Sequence, residues 1–599
     1  METDDVPGQH AHGVANRRLI TNFSVRLRRL PCSDAPPRFP GLHSRFRKRR
    51  ALLRDPEVAL DAAFLLIRNA IQAGSHLQRN STSLKAMYPG THAQTHPSKP
   101  AVIMAASGLH VTFSELEGRS LRIANWLRAQ GMNRGDVVAI LSENDHRIFD
   151  VYWAAQRSGL YVAAINFHLK SEEIEYILQN SGAKCLFVGD VGQDLARAWA
   201  DLPSLSHVVH FDVALPGSVS LSSVLETASS ERPEYEPRGA DMLYSSGTTG
   251  RPKGVRLPLP DRQVSDAGDS MVAMFGGHFG CGTDTVYLSP APLYHAAPLR
   301  TCAAIQAMGG TVVVMDKFDA EAALEAIEKY RVNVSQWVPT MFVRMLKLPD
   351  DIRGAHDVSS MKVAIHAAAP CPVDVKRKMM DWWGPVLYEF YSSTELNGIT
   401  TISPSEWLQK PGSVGRSILG KIHICDESGD ELPAGSDGLV YFERETMPFS
   451  YHKDPEKTRA TQHPIHSTWT MVGDIGHVDE DGFLYLTDRK GFMIISGGVN
   501  IYPQEVENAL ALHPAILDVA VIGIPDPEMG ERVKAVVTLA EGYAGTTELE
   551  KEIIDFAKSR IASYKAPKSV DFVDELPRTP TGKLQKGELR KQYLARENS

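Results

Sequence analysis

The sequence predicts an α/β protein: a large N-terminal domain of mixed sheets flanked by helices, followed by a small C-terminal α+β domain. Three observations carry that expectation. A chain of 599 residues is too long for one hydrophobic core, so two or three domains are expected. From Met87 onward, strand-like apolar runs alternate with segments of helical period, the pattern of a parallel or mixed sheet covered by helices. After Arg489 the character changes to a helix, two strands and a second helix within about 110 residues, enough for a small separate domain.

Composition supports a globular chain, with 43% hydrophobic and 23% charged residues, near the average for such proteins. No apolar run reaches the roughly 18 to 20 residues of a membrane span; the best short candidate, 62–67, ends at Arg68. Residues 1–86 stand apart, with 15 basic against 7 acidic side chains, which leaves a body of net charge −16. An acidic body suits neither DNA nor RNA, whose affinity rests on neutralised phosphates. The arm carries Pro36-Pro37, the run R-F-R-K-R-R at 45–50 and one helical stretch from about 55 to 77. Its opening Met-Glu-Thr-Asp-Asp puts acid where a targeting signal carries base. Three readings stay open: a disordered basic arm, a helix in peripheral contact with anionic lipid, or upstream sequence outside the working protein. Met87 directly precedes an ordinary domain start, which favours the last. Six scattered cysteines without a C-x-x-C pair argue against a zinc site or disulfide framework and for a reducing cytoplasm.

Taken in order, 101–104 and 110–112 read as strands. Ser114-Glu-Leu-Glu117 has the S-x-x-E form of a capping box, and Leu121, Ala124 and Leu127 continue the helix to a stop at Gly131. A strand at 137–141, a helix at 147–156 and a strand at 161–166 follow. The alternation returns at 311–315, in a helix carrying Ala323, Leu324, Ile327 and Tyr330, and at 332–338. In the small domain 506–512 and 548–562 read as helices, and 520–524 and 533–539 as strands. No fixed-period repeat suggests a solenoid.

The chemistry concentrates in compact clusters. Y-S-S-G-T-T-G-R-P-K-G-V at 244–255 gathers Ser245, Ser246, Thr248, Thr249, three glycines and Lys253. Glycines let backbone N–H groups approach a ligand, and hydroxyls beside a cation suit an anion such as nucleotide phosphate. An ordinary surface turn has the same composition, and the usual P-loop spacing does not fit. Position beside the strand ends of an α/β sheet supports the anion. Small residues at 365–372, among them Ala368 and Ala369, would let a flat ring lie against backbone. Tyr391, Thr394 and Glu395 sit together in Y-E-F-Y-S-S-T-E. Asp474 and Arg489 flank apolar strands, and Phe483, Tyr485 and Thr487 alternate with Leu484 and Leu486 at strand period. Lys583 lies in T-P-T-G-K-L-Q-K. Singly, each has a structural explanation: an aromatic strand, a turn, a surface ion pair, a solvated lysine.

In this order and at these spacings the clusters resemble the adenylate-forming superfamily, which contains acyl-CoA synthetases, nonribosomal peptide synthetase adenylation domains and beetle luciferases. The resemblance runs from about Met87 to Leu589. It is nearest to bacterial fatty-acyl or related carboxylate–CoA ligases, through A-P-L-Y-H-A-A-P at 291–298, D-R-K-G-F-M-I-I-S-G-G-V-N-I-Y-P-Q-E-V-E at 488–507, and the terminal lysine motif.

The resemblance implies a two-step reaction in which a hydrophobic carboxylic acid and MgATP form acyl-AMP and pyrophosphate, and the thiol of coenzyme A displaces AMP. It implies that Thr248, Thr249 and Lys253 hold the β- and γ-phosphates, Glu395 binds Mg2+, and Thr394 meets the α-phosphate. Tyr391 would stack on adenine, with Ala368 and Ala369 opposite, and Asp474 and Arg489 would bind the ribose. Lys583 would act on the substrate carboxylate and α-phosphate. The small domain, 489–599, would rotate against the large one, 87–488, about Lys490–Gly491, bringing Gly497 and Gly498 to the thiol. In relatives the histidine matching His295 lies near the acyl and thiol tunnel; a histidine packed between Leu293 and Pro298 is the structural alternative. Trp337, Met341 and Phe342 are either acyl-pocket lining or core. Gly491 departs from the charged hinge residue of the family, and Ser392 from a frequent glycine. The alternative function is a stand-alone adenylating enzyme that passes its acyl group to a carrier protein. Retention of Lys253, Glu395, Asp474, Arg489 and Lys583 argues against an inactive nucleotide-binding protein. Medium-chain, long-chain, aryl-alkanoic and steroid side-chain acids all stay open, as does oligomeric state.

Overall fold

The computed structural model describes residues 88–190, 202–245, 252–489, 491–497, 499–578 and 584–597, all within one compact unit, Leu84–Ser599. The helix expected at 55–77, the hydroxyl-rich part of the 244–255 motif and Lys583 lie outside the described residues. Among those described, no helix is long and apolar enough to cross a membrane.

Three sheets organise the described chain. In the largest, Pro100–Met104, Thr311–Val314, Val286–Ser289, Val334–Trp337, Val363–His366 and Leu387–Ser392 lie side by side in parallel. Pairing then turns antiparallel through Ile399–Ile402, Ser413–Leu419, Leu484–Arg489 and Asp474–Val478. A second sheet runs Ser450–Tyr451, Lys253–Arg256, Ala240–Ser245, Tyr161–Ile165, Val137–Leu141, Ala183–Val188 and onward. Val137–Leu141 and Tyr161–Ile165 are buried at every position, as central parallel strands covered on both faces must be. The third sheet belongs to the small domain, where Gly530–Leu539 pairs with Ile516–Asp526, Ile494–Ser496 and Ser569–Phe572.

The expected strands and helices appear close to their predicted bounds, with one correction. The first long helix, Phe113–Ala129, is capped two residues earlier than Ser114: Thr112 accepts from the Glu115 N–H, and Glu115 returns the bond to the Thr112 N–H. Glu117 is instead drawn away by tertiary contacts with Tyr88 and Arg157.

Three apolar clusters pack against the two large sheets. Phe149, Trp153, Tyr287 and Ile305 centre the first. Trp337, Met341 and Phe342 belong to the second, 1, 6 and 0% exposed. Trp337 meets Trp383 edge-on at 5.6 Å, so these three side chains build core.

Topology places the motifs. His295, Ala368 and Thr394 follow the carboxyl ends of Val286–Ser289, Val363–His366 and Leu387–Ser392. Parallel strands share one direction, so those three segments emerge on the same edge of the sheet, where α/β folds form clefts.

Candidate active site

The 244–255 motif is the connection of a hairpin. Ala240–Ser245 and Lys253–Arg256 pair antiparallel with Ser245 opposite Lys253; Thr248 and Thr249 lie in the part outside the described residues. A Cβ at Gly254 would stand 3.0 Å from the Tyr244 ring, close enough that the ring would have to give by a few tenths of an ångström. Tyr244 is itself anchored, donating to Asn180 Oδ1 at 2.7 Å.

The short strand Ser450–Tyr451 extends this hairpin, with Tyr451 opposite Val255. The Lys253 ammonium lies 5.1 Å from the centre of the Tyr451 ring. The Tyr451 phenol donates to Glu395 Oε1 at 2.8 Å, and Glu395 is only 7% exposed. Two residues singled out from the sequence, Lys253 and Glu395, thus meet through a third that the sequence reading missed. Tyr451 ends the run M-P-F-S-Y before a helix start at Asp454-Pro455, which reads as an ordinary turn.

A second junction joins residues 83 positions apart: the Tyr391 hydroxyl donates to Asp474 Oδ2 at 2.6 Å. Asp474 is 5% exposed and directly opposite Arg489 in the antiparallel pair, so the two polar residues flanking separate motifs share one register position. The Arg489 side chain lies outside the described part of the structure. On the neighbouring parallel strand His366 pairs with Glu389, and two residues beyond that pair stand Ala368 and Tyr391. Ala368 and Ala369 are exposed, and Ala368 adopts a left-handed φ of 73°. Holding a non-glycine residue there costs about 1–3 kcal/mol, a strain found where surrounding structure imposes an unusual path.

The turn between these junctions is gripped residue by residue. Arg300 Nη1 donates to the Thr394 carbonyl at 3.1 Å while its Nε binds Asp241 at 2.7 Å. Tyr451 holds Glu395. Leu396, with φ 50°, donates its N–H to Ser393 and accepts from Arg444 at 3.0 Å. Arg300 lies on the helix Ala296–Ala307, which begins directly after His295, so this helix is tied to Thr394. His295 is half-buried, its ring 4.5 Å from that of Tyr294.

Beneath the Ala368–Tyr391 level lies a buried charged pair. Lys376 donates to Glu389 Oε2 at 2.8 Å, and His366 Nε2 is 3.3 Å from the same oxygen. Burial pushes the Glu389 carboxyl up, opposed by Lys376. Burial, helped by Lys376, holds His366 well below its ordinary value and therefore neutral. This cluster ties the helix Val373–Trp383 to the two strands that carry Ala368 and Tyr391.

The small domain contributes differently. Gly497, between Ile494–Ser496 and Val499–Ile501, has φ 58°, and a Cβ there would meet Met529 Cε at 2.5 Å. Its N–H donates to the Met529 carbonyl at 2.8 Å. Lys583 lies in 579–583, outside the described residues, which resume at Leu584. Arg578 bridges to Leu584, and Lys586 forms a buried ion pair with Glu507 at 2.9 Å. Gly491 has open space where a side chain would stand.

Among the described residues no group of three or more His, Cys, Asp or Glu is arranged to hold a metal. Glu395 is a buried carboxylate, a donor that fits Mg2+, which takes one or two carboxylates and completes its shell with phosphates and water.

Comparison with known proteins gives the same outline. Residues 90–451 match the AMP-binding enzyme family, and residues 505–583 its C-terminal domain. A feruloyl-CoA synthase of Amycolatopsis sp is 34% identical over 84% of this chain and 98% of its own. The long-chain-fatty-acid–CoA ligase FadD13 of Mycobacterium tuberculosis is 31% identical over 84% and 97%. The fold is similar to that of the anthranilate CoA ligase AuaEII in complex with anthranoyl-AMP, with a TM-score of 0.74 at 24% identity over 85% of this chain and 97% of that one.

Proposed function

The chain belongs to the AMP-binding enzyme family of adenylate-forming acid–CoA ligases, and on that premise we propose that it activates a hydrophobic carboxylic acid with MgATP and transfers it to coenzyme A. The observation that carries the site assignment is the Tyr391–Asp474 hydrogen bond on the turn that also presents Glu395. It joins two separate motifs into one wall.

In this reading Tyr391 stacks on adenine, Ala368 and Ala369 close its other side, and Asp474 with Arg489 takes the ribose hydroxyls. Tyr391 orients the Asp474 carboxylate for that task. Lys253, Thr248 and Thr249 hold the β- and γ-phosphates, Thr394 the α-phosphate, and Lys583 the acid carboxylate. Glu395 would hold Mg2+, which would supply neutralising charge to the phosphates. The acid oxygen attacks the α-phosphorus as the bond to pyrophosphate breaks, and Lys583 stabilises the charge that develops. The thiol sulfur then attacks the acyl carbon and AMP leaves. Gly497 and Gly498 border the thiol path, with His295 near its inner end. The boundary between the domains falls at 488/489, with Lys490–Gly491 as the hinge.

The hydrophobic acid is supported by the feruloyl and long-chain substrates in the names of the relatives. An assay of acid-dependent AMP formation with coenzyme A, across fatty, aryl-alkanoic, hydroxycinnamic and short dicarboxylic acids, tests it. Turnover of apolar acids is expected; preference for a short dicarboxylate would overturn the substrate class.

A further inference from the structure

We propose that Tyr451 is a positioning residue for adenylation, its phenol fixing the Glu395 carboxylate and its ring holding the Lys253 ammonium. The proposal rests on the adenylation reading above. A glutamate carboxylate accepts hydrogen bonds only, so the Tyr451 O–H must be the donor in the 2.8 Å contact with Oε1. A neutral donor sets the orientation of the carboxylate without cancelling its negative charge, which an approaching metal needs. A cation in the same place would orient it and neutralise it together.

Tyr451 is itself well held. It is 7% exposed, sits opposite Val255, and donates its N–H to Thr458 Oγ1 at 2.9 Å. Its ring meets Phe449 edge-on at 5.4 Å. The Lys253 ammonium lies 5.1 Å from the ring centre, within the range of attraction to an aromatic face. One rigid side chain therefore fixes the distance between a cation on the phosphate hairpin and an anion on the turn after Leu387–Ser392. Those are the two groups that the proposed reading assigns to the β- and γ-phosphates and to Mg2+.

The test separates the phenol from the ring. Calorimetry without acid substrate measures affinity for MgATP and for ATP in EDTA. Tyr451→Phe keeps ring and strand pairing, so MgATP affinity should fall about tenfold, the scale of one hydrogen bond to a charged group, while metal-free ATP stays within about twofold. Thioester formation from supplied acyl-adenylate, which has no pyrophosphate to coordinate, should be unchanged. Tyr451→Leu removes the ring as well and should weaken metal-free ATP too. Equal weakening of MgATP and metal-free ATP in Tyr451→Phe, or no change in either, overturns the proposal. If Tyr451→Leu does not fold, Tyr451→Phe still decides. Wild-type enzyme that gains nothing from Mg2+, or Glu395→Gln binding MgATP normally, overturns the parent reading of Glu395 and this one with it.

Discussion

On the large domain Tyr391, Asp474 and Glu395 are each bonded to another side chain, and Thr394 is clasped by an arginine. On the small domain Gly497 is held by backbone, its N–H on the Met529 carbonyl. The side chains around it, Ile495, Val499 and Met529, are 50, 44 and 47% exposed. On the function proposed above, the difference follows from what each wall would meet, phosphates at one and the thiol of coenzyme A at the other. Charge that develops on a phosphate is stabilised best by groups fixed beforehand, because reorganising them during the reaction raises the barrier. A long, flexible thiol arm needs a smooth passage more than partners, and glycine with exposed apolar neighbours supplies one.

The contrast predicts that damage to either wall will be felt in one half-reaction. The largest effect is expected at Lys583, the cation assigned to the breaking α-phosphate bond. Lys583→Ala should lower ATP–pyrophosphate exchange by about 10²–10³ or more, the scale of losing one preorganised charge stabiliser, and leave thioester formation from supplied acyl-AMP mostly intact. Equal loss in both assays would remove the distinction between the walls. Next comes Gly497→Val, which places a branched Cβ at a left-handed φ and against Met529. It should reduce thioester formation roughly 10- to 100-fold through a few kcal/mol of strain, with pyrophosphate exchange retained. Loss of exchange as well would tie Gly497 to the nucleotide wall. Asp474→Asn is milder: it keeps the shape and an acceptor for Tyr391 but loses the charge. A rise of about tenfold in the KM for ATP is expected, and a fall in kcat with unchanged KM would place Asp474 elsewhere in the cycle.

Much of this arrangement was legible in the sequence because it depends on local pattern. Strand bounds at 137–141 and the helix at 147–156 followed from apolar period, and the clusters at 391–395, 474 and 489 from their compactness. The pairing of Asp474 with Arg489 was not legible, since the antiparallel register that sets them opposite depends on a turn and a bulge between Ile475 and Gly476. Tyr451 was hidden for a similar reason. Its partners lie 56 residues back at Glu395 and farther still at Lys253, and a tyrosine at a strand end carries no signature of either contact. The first helix cap was misplaced by two residues because Ser114-Glu117 and Thr112-Glu115 have the same S/T-x-x-E form. The tertiary contacts of Tyr88 and Arg157 with Glu117 distinguish the two.

A last test, read in stability rather than turnover, asks whether fixing by partners, rather than burial, distinguishes the proposed nucleotide wall. Asp150, on the helix Arg147–Gln156, is as buried as Asp474, yet both its carboxyl oxygens lack a hydrogen-bond partner and Arg119 stands 3.8 Å away. Burial pushes its carboxyl up to about 8, with Asp145 adding and Arg119 and Arg147 opposing. In the unfolded chain the same group titrates at about 4. Between these values the unfolded chain has released a proton that the folded one keeps. Stability contributed here is therefore present at low pH and declines as pH rises toward 8, by up to about 1.4 kcal/mol per pH unit. Asp150→Asn carries no such penalty, so its melting temperature should exceed that of the wild type at pH 8, and the gap should shrink steadily as pH falls toward 5. A gap that does not change with pH would mean that Asp150 is ionised and paired with Arg119. Burial alone would then suffice to recruit a partner, and the bonded carboxylates of the nucleotide wall would need no functional explanation.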